Sequence, residues 1–195
     1  MPPHWILAST SPFRRHMLEA AGLTVETCRP DVDERKMEQS LVGLPPRQVV
    51  SALAVAKARA VSTLYPDRVG VGADPILEIG GEIIGKPHSE EEAARRLRQL
   101  SGVTHHLMTA VAVVGGGEPD EIFVEETHLT FRTLSEAEIQ WYVATGEWQG
   151  CAGGYRVEGK GVQLIAHIDG DWFNIVGLPL LRVLDVLRHR GQIGC

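Results

Sequence analysis

Hydroxyl and guanidinium groups are concentrated in a short segment that follows the first apolar run of the chain. Residues 8–15 read Ala-Ser-Thr-Ser-Pro-Phe-Arg-Arg and come directly after Trp-Ile-Leu. This pattern predicts a strand, a loop and a helix start, with Ser11 as the N-cap and Pro12 as the first helical residue. The free N–H groups of a helix start attract anions, and the guanidinium of Arg14 can face the same spot. Taken alone, an ordinary turn with solvated arginines also explains the segment.

Carboxylates occur at two places where they could act beside a bound anion. The acidic run at 31–34, Asp-Val-Asp-Glu, is either a solvated turn or a set that faces a metal ion or a water molecule. Asp74 ends the glycine-rich segment 69–74, which we predict to be a buried strand. Ligands gather at the carboxyl ends of strands in open α/β folds, so Asp74 is a candidate for a functional carboxylate.

Two lysines are candidates for binding negative charge. Lys57 falls on the apolar face of a helix that we predict to begin at Pro45-Pro46. A buried ammonium needs a partner, so Lys57 either extends along its stem to solvent or reaches a buried anion. Lys86 lies in the Gly85-Lys-Pro87 turn, where an ordinary surface lysine is the alternative. The apolar face around Lys57 consists of Val50, Leu53, Ala54, Val61 and Leu64.

The composition limits the classes of protein to which these candidates can belong. The chain has 195 residues, 44% of them hydrophobic, and a net charge of −6, so it can bury a core but has no basic excess for nucleic acid or a membrane surface. We find neither an apolar span of membrane-crossing length nor a secretion signal, and expect a cytoplasmic protein. Cys28, Cys151 and Cys195 have no metal-ligand spacing. His105 and His106 would lie on opposite faces of a strand, and the pattern does not favour a histidine metal site.

The remaining segments supply the elements that must position these side chains. Predicted strands cover residues 69–74, 76–79, 82–84, 103–114, 121–131 and 162–168. Capping boxes at Ser89 and Ser135 predict two further helices, and another is expected after Pro179. Interleaved helices and strands indicate an α/β fold with a mixed sheet.

Short motifs follow one another in order from residue 5 to about 190. They are Ala8-Ser-Thr-Ser-Pro-Phe-Arg-Arg15, Asp33-Glu34, Lys57, Gly72-Ala-Asp74, Gly85-Lys-Pro87, Ala152-Gly-Gly-Tyr155 and Gly177-Leu-Pro179. Together they resemble the motifs of the Maf family of nucleoside triphosphate pyrophosphatases. The resemblance implies an α/β/α sandwich, similar to Maf proteins and inosine triphosphatases, with an elongated mixed sheet and a central cleft. It implies a single domain over 1–195, with two lobes that share the sheet around the cleft.

The resemblance also implies a reaction, the hydrolysis of a nucleoside triphosphate between its α- and β-phosphates to a monophosphate and pyrophosphate. Asp74 is the implied general base, and Glu34 is its partner. The same two carboxylates are the implied ligands of a divalent cation, with Mg²⁺, Mn²⁺ and Co²⁺ left open. Lys57 and Lys86 are implied to stabilise the negative charge of the phosphates.

The segment at the start of the chain then becomes the phosphate-binding loop. Ser9 and the helix start at Ser11 would donate hydrogen bonds to phosphate oxygens, and Arg14 would supply positive charge. Arg15 either does the same or lies on the outer side of the helix.

Within the family, the chain is most similar to the branch that hydrolyses 7-methyl-GTP. The dTTP and UTP branch usually has arginine in place of Phe13, threonine in place of Pro75 and glutamine in place of Glu158. An aromatic ring at 13 can stack on a cationic purine, and the carboxylate of Glu158 can pair with a guanine edge or its positive charge. Pro75 departs from the 7-methyl-GTP branch, which tends to have glutamine there, and proline offers neither a side-chain amide nor a backbone N–H.

Other functions remain open at this point. A dTTP/UTP pyrophosphatase is the alternative within the family. A nucleotide-binding regulator of cell division without turnover is the alternative from another class, and a phosphate monoester phosphatase would release orthophosphate instead. We expect no nucleic-acid or membrane partner, and the apolar strands at 103–114 and 121–131 permit the homodimer that the family often forms.

Overall fold

Helices and strands are interleaved along the chain, in a computed structural model that describes residues 4–194. The strands are β1 (Trp5–Leu7), β2 (Val69–Ile79), β3 (Glu82–Ile84), β4 (Thr104–Val114), β5 (Glu121–Phe131) and β6 (Ile165–Asp169). The helices are α1 (Pro12–Ala20), α2 (Glu34–Ser40), α3 (Pro46–Leu64), α4 (Glu90–Leu100), α5 (Glu136–Ala144), α6 (Trp172–Val176) and α7 (Leu180–His189). The predicted α/β class is confirmed.

The sheet is mixed, as predicted. Its strand order is β1-β2-β4-β5-β6, and β3 pairs with β2 off this path. β1 runs parallel to β2 with Leu7 opposite Val71, whereas the β2–β3 and β5–β6 pairs are antiparallel. Because β1 ends at Leu7, the edge of β2 beyond Val71 loses this partner.

The residues group into two compact units. The first comprises Met1–Pro75, Thr109–Glu125 and Gly177–Cys195, and the second comprises Ile76–Met108 and Glu126–Val176. In the first unit Ile6, Ala8 and Val61 pack together in the core. The core of the second unit includes Leu77, Leu97, Phe131, Tyr142 and Tyr155. The predicted organisation as a single domain with a central cleft stays a prediction.

Strand β2 corrects the prediction that a strand ends at Asp74. It continues through Pro75 to Ile79. The N–H of Val69 and the carbonyl of Val71 face β1. Every second residue of the strand faces the same edge, so the backbone nitrogen of Pro75, which carries no hydrogen, also faces that edge. β1 has ended there, so the proline removes no hydrogen bond to β1.

Three other predictions from the sequence differ from the structure. Helix α2 lies where no element was predicted, because it buries no residue and so has no apolar periodicity. Leu64, expected on the core face, is 61% exposed in the last turn of α3. The strand predicted at 162–168 begins at Ile165, after a short 3₁₀-helix over Lys160–Leu164. Within residues 4–194, no helix has the length and apolar character needed to cross a membrane.

Candidate active site

Helix α3 packs directly on β2 because two glycines of the strand leave room for its backbone. A Cβ atom on Gly70 would lie 2.5 Å from the carbonyl oxygen of Ala58, and one on Gly72 would lie 2.3 Å from that of Ala54. Any side chain at either position would therefore push the helix away. This close approach holds Lys57, the neighbour of Ala58, against the strand.

Lys57 joins two carboxylates from different elements. Its Nζ lies 2.5 Å from Oδ1 of Asp74 on β2 and 2.9 Å from Oε2 of Glu34 on α2. Lys57 and Asp74 are 7% and 6% exposed, while the side chain of Glu34 is half exposed. Of the two alternatives for Lys57, a path to solvent or a buried anion, the structure shows the second, and the anion is Asp74.

The environment of Asp74 changes its affinity for a proton. Burial raises the pKa of this carboxyl above its ordinary value, and the negative charge of Glu34 raises it further. Lys57 and Arg14 oppose the rise through their positive charges. Its Oδ2 makes no hydrogen bond to any residue within 4–194. Asp74 therefore combines a raised pKa with an oxygen that can accept a proton from water.

The loop between β1 and α1 has the predicted local structure. Ser11 is the N-cap of α1, where its Oγ accepts a hydrogen bond from Arg14 N at 3.4 Å, and Pro12 is the first helical residue. Ser9 is buried, and its Oγ accepts from Ser11 N at 3.1 Å and from Arg14 Nη1 at 3.3 Å. A hydroxyl has two acceptor positions and one proton, so Ser9 keeps its proton to donate to an anion.

Arg14 is held by backbone carbonyls rather than by a direct carboxylate partner. Its Nη1 donates to Ala73 O at 3.0 Å, and its Nε donates to Gly177 O at 2.7 Å. The carbonyl of Ala73 lies on the edge of β2 just past the end of β1, so the guanidinium replaces the missing strand partner. Burial lowers the pKa of Arg14, and Asp74 and Glu34 partly offset that effect, but a guanidinium remains charged. Nη2 has no hydrogen-bond partner among residues 4–194 and can contact a ligand.

Glu34 and Asp74 form a donor set of the kind that hard divalent cations prefer. Asp33 caps α2, where its Oδ1 accepts from Lys36 N at 3.0 Å, and this leaves Glu34 to face Lys57. Carboxylate oxygens suit Mg²⁺, Mn²⁺ and Co²⁺, with phosphate oxygens as further ligands. A cation would also stabilise the ionised form of Asp74, which burial disfavours. The residues present therefore fit the divalent cation that the resemblance implies.

Three predicted site residues of the first unit lie outside this cluster of contacts. Arg15 is exposed on α1, where its Nε bonds Glu19 Oε1 at 2.7 Å. Phe13 is 38% exposed at the start of the same helix. Pro75 follows Asp74 within β2. Their predicted contacts with a substrate stay predictions.

Lys86 and Glu158 belong to the second unit, around Cys151. Burial raises the pKa of the Cys151 thiol, Arg156 and Lys86 act to lower it, and Glu158 acts to raise it, so these charges lie near one another. Glu158 Oε1 is 3.5 Å from Arg156 Nε. Gly154 adopts a φ of +74°, and a Cβ atom there would lie 3.0 Å from Pro87, so the Gly-Gly segment packs against the residue that follows Lys86.

The sequence pattern did not indicate three groups that complete these clusters. They are the carbonyls of Ala73 and Gly177, which hold Arg14, and the guanidinium of Arg156, which faces Glu158. Carbonyls carry no side-chain signal. Arg156, however, stands two residues before Glu158 in a glycine-rich segment, and that spacing was a usable signal.

Comparisons with known proteins agree with the motifs. A family model described as "Maf-like protein" matches residues 4–190. The "dTTP/UTP pyrophosphatase" of Symbiobacterium thermophilum is 43% identical over 95% of this chain and 93% of its own length. The "7-methyl-GTP pyrophosphatase" of Rhizobium johnstonii is 42% identical over 99% of both chains. "Nucleoside triphosphate pyrophosphatase 1" of Jannaschia sp. is 42% identical over 96% and 97%. Relatives of similar identity thus carry different substrate names.

Proposed function

The chain belongs to the family of Maf-like proteins, and we propose that it is a nucleoside triphosphate pyrophosphatase whose preferred substrate is 7-methyl-GTP. One observation carries the proposed reaction. The ammonium of Lys57 contacts both Asp74 and Glu34. Asp74 is buried close to Arg14. Hydrogen bonds to backbone carbonyls hold the guanidinium of Arg14 beside the hydroxyl of Ser9. Such a set unites a base with groups that bind an anion.

In the proposed reaction, Asp74 orients a water molecule and accepts its proton. The water oxygen bonds to the α-phosphorus, and the bond between this phosphorus and the bridging oxygen breaks. Pyrophosphate leaves with the electron pair of that bond. The raised pKa of Asp74 suits this role, because a base is most effective when its pKa approaches the working pH. Glu34 orients the same water or the cation.

Positive charge and hydrogen bonds stabilise the oxygens that gain negative charge. Arg14 contributes Nη2, and Ser9 contributes its hydroxyl proton. Lys57 neutralises Asp74 before the reaction and would share its charge with a phosphate oxygen of the substrate. A divalent cation held by Asp74 and Glu34 would supply further positive charge to the phosphates. Lys86 and Ser11 keep the phosphate-binding roles that the resemblance implies, whereas Arg15 is assigned none, because it is exposed and pairs with Glu19.

The proposed base preference depends on two residues. Phe13 offers an exposed aromatic ring that can stack on a cationic purine. Glu158 offers a carboxylate for the guanine edge, and its partner Arg156 must share it with the substrate. Relatives named for dTTP and UTP make pyrimidine triphosphates the second candidate substrates, whereas Pro75 matches neither branch and does not select between them.

A panel of triphosphates tests both parts of the proposal. The protein is incubated with 7-methyl-GTP, GTP, dTTP or UTP and a divalent cation, and pyrophosphate and orthophosphate are measured separately. We expect pyrophosphate, with the highest kcat/KM for 7-methyl-GTP. A clear preference for dTTP or UTP would overturn the base assignment. Binding without pyrophosphate would identify a non-catalytic regulator, and orthophosphate would identify a monoester phosphatase.

A further inference from the structure

A second group of metal-binding side chains lies on β4 and β5, within the second unit. His106 Nδ1 is 2.9 Å from Glu126 Oε1, and His128 Nε2 is 3.3 Å from the same oxygen. The three ligand atoms all lie within 4.8 Å of one another. Each side chain is partly exposed, so an ion from solvent can reach the group.

The strand geometry explains why these side chains converge. β4 and β5 are neighbours in the sheet, and successive residues of a strand point to opposite faces. His105 is fully buried and bonds the hydroxyl of Tyr155 through Nε2 at 2.7 Å, so His106 is directed to the other face, as predicted. There its ring stacks on that of His128, with centroids 4.3 Å apart and planes at 27°.

The charges of the group favour a bound cation. Imidazole nitrogens are good metal ligands, and those of His106 and His128 lie beside the same carboxylate oxygen. Glu126 adds a carboxylate that faces both rings. Glu78 Oε2 lies 3.6 Å from His106 Nδ1 and provides another carboxylate nearby. Two imidazoles and two carboxylates form a typical ligand set for a transition metal.

We propose that His106, Glu126 and His128 bind a divalent transition-metal ion of the class of Zn²⁺, Co²⁺ and Ni²⁺. Imidazole ligands suit these ions, whereas Mg²⁺ prefers a site made of oxygens. In a tetrahedral site with bonds of about 2.1 Å the ligand atoms lie about 3.4 Å apart, so binding requires shifts of only about 1 Å. Glu78 or water completes the coordination. The bound ion cross-links β4 to β5 and stabilises the second unit, independently of the pyrophosphatase reaction.

Calorimetric titration of the tag-free full chain with ZnCl₂ tests this site. A large excess of MgCl₂ is present, so that sites made only of oxygen ligands are occupied. We expect one Zn²⁺ to bind per chain, and His106→Gln/His128→Gln to weaken binding by at least about tenfold. His189→Gln is the control, because this exposed histidine lies at the end of α7, and it should bind like the wild type. Asp74→Asn should also retain the Zn²⁺ site, which separates it from the candidate active site.

Two further measurements keep the test independent of folding defects. Far-ultraviolet circular dichroism verifies that each variant is folded, and Glu126→Gln, which conserves the shape of the side chain, should also lose at least about tenfold in affinity. Zn²⁺ should raise the melting temperature of the wild type but not that of the double histidine variant. Absence of Zn²⁺ binding by the wild type would overturn the proposal. Wild-type affinity in the folded double variant, or loss of the site in Asp74→Asn, would do the same.

Discussion

Replacing Gly72 by alanine tests whether the close approach of α3 to β2 sets the geometry of the candidate active site. The new Cβ atom would lie 2.3 Å from Ala54 O and 2.6 Å from Ala58 N, where ordinary contacts begin at 3.4 Å. Both atoms belong to the helix backbone and cannot rotate away, so α3 must retreat by about 1 Å, at a cost of about 1–3 kcal/mol in unfolding free energy. Lys57 moves with the helix. A misplacement of this size can lower the reaction rate by about 10²-fold.

The assay combines urea unfolding with kcat/KM for pyrophosphate release. Gly146→Ala is the matched control, because Gly146 has a φ of +71° and open space around it, so alanine costs about 1–2 kcal/mol of backbone strain without touching α3. We expect similar losses of stability in the two variants but a loss of activity only in Gly72→Ala. A folded Gly72→Ala protein with the wild-type kcat/KM would refute the role assigned to this contact.

Three further predictions concern charge and base preference. Because burial raises the pKa of Asp74 above 3.8, the folded state binds this proton more tightly than the unfolded state. The unfolding free energy of the wild type, relative to that of Asp74→Asn, should therefore be greatest below pH 3.8. It should decrease as the pH rises through the folded-state pKa of Asp74. A difference in unfolding free energy that does not change with pH in urea titrations would contradict this sign. Lys57→Met removes the ammonium that favours ionised Asp74, so kcat/KM at neutral pH should fall by about tenfold or more and recover partly at higher pH. An unchanged pH–rate profile would argue against their coupling. The triple variant Phe13→Arg/Pro75→Thr/Glu158→Gln should shift the ratio of kcat/KM for 7-methyl-GTP and dTTP by about tenfold toward dTTP. This shift is equivalent to about 1.4 kcal/mol. An unchanged ratio would show that these positions do not select the base.

The elements that the sequence predicts well have strong local signals. β4 and β5 agree with their predicted ranges to within one residue because long apolar alternation marks them. The capping box of Ser135 and Glu138 forms as predicted. Helix α2 could not be recognised from periodicity, since its stability does not depend on a buried face. Pro75 is compatible with β2 because β1 has already ended at that point. The end of β1 is a property of the sheet that the residues around Pro75 do not show.

The candidate site shows the same division between local and long-range information. A lysine on an apolar helix face left open a path to solvent or a buried anion, and the structure shows Asp74 as the anion. The N-cap at Ser11 was likewise predictable from its neighbours. The anchoring of Arg14 was not, because Gly177 is 163 residues away and contributes only a backbone carbonyl. The catalytic and binding roles assigned to the site residues stay predictions.

Pyrophosphate release by Asp74→Asn, compared with that of the wild type, tests the central proposal most directly. Asparagine has nearly the same shape but cannot accept the proton of the attacking water, and loss of a general base lowers rates by about 10²- to 10⁴-fold. The triphosphate and cation that the wild type uses best are supplied at saturating concentration, and circular dichroism verifies the fold of the variant. We predict a folded protein that binds the nucleotide and releases pyrophosphate at least about 10²-fold more slowly. A folded Asp74→Asn protein with wild-type turnover would contradict the assignment of Asp74 as the base.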